Sequence, residues 1–195
     1  MGDGFLIAAT EDGVAVRKLW LDGSLGTLRR PFPCWNTELP RLAWNGSEAL
    51  ITFQGADTTL SFGGGVYWAR LNADGTAISP AQFIGLQLAS APAPVVSLGS
   101  DTLMLVEVGP NASTDGTSTP SGYYSVRLAK GGTVSTTQIT TTDSWSFEFE
   151  NFPDLVVEGT AAFTAGVTSA APYRDLFSGG VRHDPGRRPL LAQIR

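Results

Sequence analysis

A short phrase recurs along the chain and limits its possible folds more than any other feature. It reads PRLAWNGSEALITF at residues 40–53, PVVSLGSDTLMLVEV at 94–108 and PDLVVEGTAAFTAG at 153–166. Each copy opens on a proline and joins two short apolar runs across a glycine-containing turn, the signature of a tight β-hairpin. The prolines are 54 and 59 residues apart. A second hairpin follows in phase: VAVRKLWLDGSLGTL, VYWARLNADGTAISPAQFI, YYSVRLAKGGTVSTTQIT and SGGVRHDPGRRPLLAQIR. Aligned on the turn glycines Gly23, Gly75, Gly132 and Gly186, a basic residue recurs just upstream as Lys18, Arg70, Arg127 and Arg182.

Each unit therefore contains four short strands, A to D, over about 50 residues, the pattern of an all-β repeat architecture. Val, Ile, Thr, Tyr, Phe and Trp fill the runs, which suits pleated, half-buried surfaces. No helical period stands out, and DSWSFEFE (143–150) alternates with a period of two, as a strand does. The PRLAWNGSEALITF hairpin and the GGVYWARLNADGTAI hairpin after it resemble the tandem blade repeats of large bacterial β-propeller proteins, many of them secreted. The resemblance covers essentially the whole chain. It implies an all-β β-propeller of about four four-stranded antiparallel blades, at approximately 1–38, 39–91, 92–150 and 151–195.

GDGFLIAAT at the start matches strand B, so the first blade lacks strand A. PLLAQIR at the end follows a C–D turn and reads as strand D of the fourth blade. Alternatively it pairs beside the first blade, supplies the missing strand and closes a four-bladed ring. Without that closure the chain is a partial propeller whose open blade edges invite a second copy.

Composition excludes several functions. A net charge of −5, with only two lysines and scattered arginines, does not make a nucleic-acid surface. No apolar run reaches the ~20 residues of a membrane helix, so no membrane insertion is expected. The opening residues have neither the basic start nor the apolar core of a secretory leader. The resemblance alone suggests an extracellular or cell-surface location. The lone cysteine, Cys34, allows no intrachain disulfide and no cysteine-based zinc site. His183 lies in a turn-like RHDPGR. Of the two sequons, at Asn45 and Asn111, the first reads as a turn former. No G-x-S-x-G elbow, phosphate-cradling loop, dinucleotide fingerprint, calcium loop or sialidase-type box occurs. No cofactor, metal or catalytic residue is expected. A remnant of a propeller hydrolase would need two distant carboxylates to converge.

Loop length carries the functional expectation. The A–B and C–D turns are tight and lie at one end of the blades. The B–C links at the other end vary, as EDG, QGADTTLSFGGG (54–65), GPNASTDGTSTPSG (109–122) and VTSAAPYRDLFS (167–178), and the D–A links there include RRPFPCWNTEL and TTTDSWSFEFENF. Repeat proteins place variable insertions on the binding face. Aromatic planes beside Asp or Asn hold sugars by stacking and hydrogen bonding. The candidate ligand contacts are therefore Trp35, Asp57, Phe62, Asn111, Asp115, Trp145, Tyr173 and Asp175. Trp20, Trp44 and Trp68, inside strands, are expected to pack between blades, and the recurring basic residue to bond a carbonyl or carboxylate and orient the next blade. Two functions follow: a non-catalytic module holding a glycan or protein at its long-loop face, or a structural or oligomerisation module of a larger surface, fibre or phage-like assembly.

Overall fold

The computed structural model describes residues 3–11, 13–32, 35–56, 65–86, 89–90, 94–108, 122–141, 154–158, 161–169 and 187–194. Every regular element among them is a strand. The strands form four separate antiparallel sheets, each from one contiguous stretch of chain. The first holds β1 (Gly4–Thr10), β2 (Val14–Trp20) and β3 (Arg29–Phe32). The second holds β4 (Trp35–Trp44), β5 (Ala49–Ala56), β6 (Gly65–Leu71) and β7 (Gln82–Phe83). The third holds β8 (Ala89–Ser90), β9 (Val95–Leu98), β10 (Asp101–Val108), β11 (Gly122–Leu128) and β12 (Val134–Thr141). The fourth holds β13 (Asp154–Glu158), β14 (Ala161–Ser169) and β15 (Arg187–Ile194).

The strand count per sheet departs from four for local reasons. The first sheet begins with strand B, and β1 is its edge. In the third sheet β8 and β9 both pair with β10, one at each end. Pro94 lies between them, and a proline has no N–H to give to a ladder. In β4 the register likewise slips on either side of Glu38, near Pro40. The final segment corrects both readings made of it: β15 pairs with β14, from Ala162↔Ile194 to Ser169↔Arg187, in the place strand C occupies elsewhere. An alternating run fits either position, and only the pairing decides.

The C–D hairpins of the first three sheets close on one turn geometry. The amides of Trp20, Asn72 and Ala129 donate to the carbonyls of Ser24, Thr76 and Thr133, at 2.9, 3.0 and 2.9 Å. The amides of Gly23, Gly75 and Gly132 donate back to Trp20, Asn72 and Ala129, at 3.0, 3.1 and 2.8 Å. The three glycines have φ of 83°, 83° and 85°, where a side chain would be strained. In two turns an aspartate adds a bond: Asp22 Oδ1 accepts from the Ser24 amide at 2.8 Å and Asp74 Oδ1 from the Thr76 amide at 2.9 Å. Asn45 holds its A–B turn similarly, its Oδ1 accepting from the Ser47 and Glu48 amides at 3.0 Å each.

The sheets pack face to face in chain order. Val14, Val16 and Phe32 of the first meet Ile51, Phe53 and Leu71 of the second. The opposite face of the second, with Leu50, Val66 and Trp68, meets Met104, Val106 and Val126 of the third. The third turns Leu103, Leu105 and Tyr123 toward Leu155 and Ala162 of the fourth. Along this succession β1 lies against β4, β4 against β9 and β9 against β13. The middle sheets thus bury both faces, which explains why β6, β10 and β11 read as nearly unbroken apolar runs. The tryptophans divide: Trp68 is buried between sheets and Trp44 packs on the first interface. Trp20, expected between blades, is exposed, with Lys18 Nζ 3.8 Å above its ring.

Candidate functional site

The two ends of the sheets carry different chemistry. At the tight-turn end each recurring basic residue bonds a carboxylate that leads into strand B of its own sheet. Lys18 Nζ donates to both oxygens of Asp3 at 2.9 Å. Arg70 grips Glu48 with two parallel bonds, Nε to Oε1 at 2.7 Å and Nη2 to Oε2 at 2.6 Å. Arg127 Nε donates to Asp101 Oδ2 at 2.9 Å. These pairs tie strand C to the start of strand B, so the basic residue orients its own hairpin rather than the next blade. Arg182 lies outside the described residues. Hydrogen bonds from Lys18 and from Arg127 hold the carboxyls of Asp3 and Asp101 below the usual aspartate range. A different ion pair links neighbouring sheets: Arg29 of β3 donates to Asp74 Oδ2, in the second sheet's C–D turn, at 2.8 Å.

At the opposite end the described strands stop where the B–C connections leave them: Thr10 to Val14, Ala56 to Gly65, Val108 to Gly122 and Ser169 to Arg187. Of the sequence-predicted contacts, Trp35 opens β4 opposite Ala56, so its backbone stands at this end. Asp57, Phe62, Asn111, Asp115, Trp145, Tyr173 and Asp175 lie outside the described residues, as do Cys34, His183 and the DSWSFEFE stretch.

The strand ends beneath those connections hold two features that sequence reasoning missed. The first is a ladder of rings across the first two sheets. Phe32 stacks on Phe53 at 5.4 Å between centroids, Phe53 on Tyr67 at 6.0 Å, and Tyr67 tilts against Phe83 at 5.6 Å. Its inner rings are buried and Phe83 is exposed. The second is Glu107 on β10, opposite Tyr123 on one side and Ser90 on the other, next to the residues 109–121 connection. Burial pushes the Glu107 carboxyl above the ordinary glutamate value. Burial, with the Glu107 charge beside it, raises the Tyr123 phenol to about 12. Its only trace in the sequence is a charged side chain two positions after Leu105, at the far end of DTLMLVEV from Asp101.

Several of the described acids are already engaged. Asp3, Glu48, Asp74 and Asp101 pair with basic residues, Glu11 pairs with Arg30 and Asp22 serves its turn. No group of three or more His, Cys, Asp or Glu is close enough there to hold a metal ion. Of the ladder rings, Glu107 and Tyr123, the exposed Phe83 ring and the half-buried Glu107 carboxyl are open at this end, a pair that suits binding by stacking and hydrogen bonding. The chain matches no protein-family model and no curated protein.

Proposed function

We propose that the chain is a non-catalytic β-propeller module that holds a glycan or a protein at its long-loop end. Four sheets, each from one stretch of chain and packed face to face in order, support reading them as blades. So does the succession of β4, β9 and β13, the A strands, against one another. The observation that carries the binding role is the asymmetry of the ends. One is closed by the same glycine turn three times and clamped by ion pairs, with little freedom to adapt. The other leads into unequal connections rich in Asp, Asn, Ser, Thr and aromatic residues, above the Phe32–Phe83 ladder and Glu107.

A glycan array and a protein pull-down test this reading together. The expected result is saturable binding in one of them that Phe83→Ala weakens. Phe83 is exposed at the end of the ladder, so its loss leaves the fold standing. Blank results in both, over a wide concentration range, would remove the proposal.

A further inference from the structure

The outer face of the first sheet occupies the repeat position at which the next two sheets each receive a neighbour. Register fixes the equivalence: Phe5↔Leu19 corresponds to Ala49↔Leu71 and Thr102↔Leu128, and Ile7↔Arg17 to Ile51↔Ala69 and Met104↔Val126. In the second sheet this face is covered by the first, and in the third by the second, so that Ile51 and Met104 are 0% exposed. In the first sheet the same position leaves Ile7 44% and Phe5 61% exposed, with the described strands of the fourth sheet packed elsewhere, on the third. The face is thus apolar at the positions its equivalents bury, with one cation, Arg17, whose Nε donates to the Gly26 carbonyl at 2.8 Å. Phe5 and Ile7 stand two residues apart on the same face of β1, so they form one adjacent apolar pair rather than scattered surface residues.

We propose that a second copy of this chain docks on the Phe5–Ile7 face and continues the succession of stacked sheets. What covers this face at both equivalent positions is a sheet of the same repeat, and a second copy presents such sheets. Its fourth sheet, at the far end of the succession, is the occupant this continuity assigns. The contact is head-to-tail, so it closes into a ring where the rotation allows and otherwise grows into a filament. The inference does not depend on what the long-loop end binds, and the two tests fail separately.

The experiment is light scattering after size exclusion on the whole chain, from low to high micromolar, with Ile7→Lys and, as a control, Ile78→Lys. Ile78 is 51% exposed and lies beside β6 of the second sheet, where its amide donates to the Arg70 carbonyl at 2.8 Å. The wild type and the control are expected to associate with rising concentration. Ile7→Lys is expected to weaken association at least about 30-fold, as a hot-spot contact does, with an unchanged circular-dichroism spectrum. A monomeric wild type at every concentration overturns the proposal. If Ile7→Lys then also unfolds the monomer, the chain's own fourth sheet is the occupant. Association that Ile7→Lys leaves unchanged overturns it as well.

Discussion

At one end of the sheets three hairpins close on the same glycine turn and three carboxylates are held by the basic residue of their own strand C. At the other end the links between the same B and C strands range from the short step between Thr10 and Val14 to the span between Val108 and Gly122. Repeating units share the geometry that stacking requires and diverge where it does not. Under the proposed function the first end is scaffold and the second is the surface that recognises a ligand. The comparison also predicts that damage at the two ends has opposite consequences: stability without binding at the first, binding without stability at the second.

The largest expected loss of stability comes from Gly75→Ala. The new Cβ would sit at positive φ and 2.9 Å from Val16 Cγ1, where the turn of the second sheet seats on the first. Backbone strain plus overpacking costs about 2–3 kcal/mol, a fall in Tm of about 5–10 °C for a chain this long. Gly132→Ala has nearly the same φ and nothing within 4 Å, so strain alone remains, at about 1 kcal/mol. Thermal melts of the two variants isolate the inter-sheet contact, and equal losses would show that it contributes nothing.

A smaller loss is expected from Arg70→Ala, about 1–2 kcal/mol in urea unfolding. It strands the Glu48 carboxylate, whose side chain is only 15% exposed. The Arg127 and Asp101 pair is more open on the arginine side, and Arg127→Ala is expected to cost less. Because the folded Asp101 carboxyl is lowered, its contribution is complete above the unfolded aspartate range. It disappears as pH falls through the folded value. The acid limb of a stability profile should therefore flatten in Arg127→Ala.

Glu107 sharpens the contrast from the loop end, with the opposite sign. Its carboxyl is raised by burial, so its share of stability is full below the unfolded glutamate value and is lost as pH rises through the folded one. Glu107→Gln is expected to raise Tm at neutral pH by about 1–3 °C. The gain should vanish in acid, and a Tm that stays the same or falls at neutral pH would contradict this account of the residue.

Much of the scaffold was legible in the sequence. Gly23, Gly75 and Gly132 announced their turns because positive φ leaves little choice of residue. The recurring Lys18, Arg70 and Arg127 were visible too, but their partners were not. Asp3, Glu48 and Asp101 stand far away along the chain and are brought close only by strand register. The last strand misled because DPGRRPLLAQIR imitates a C–D turn and its strand, whereas β15 pairs with β14. Glu107 and the Phe32–Phe83 ladder were hidden for a related reason. An apolar run states that a strand is buried, and only the stacking of sheets states which of its residues meet. Of the predicted contacts only Trp35 falls among the described residues, and its backbone opens strand β4 rather than lying in a loop.

The division of labour between the ends is tested most directly by replacing residues 109–121 with Asn-Gly. Val108 and Gly122 are already paired, so the replacement makes a two-residue hairpin. The wild type and this variant would be run side by side on the glycan array and in the pull-down. The account predicts a ligand for the wild type, loss of that ligand in the variant and a Tm that is unchanged or raised. Undiminished binding by the variant, or its loss in Gly132→Ala at the opposite end while the fold persists, would contradict it.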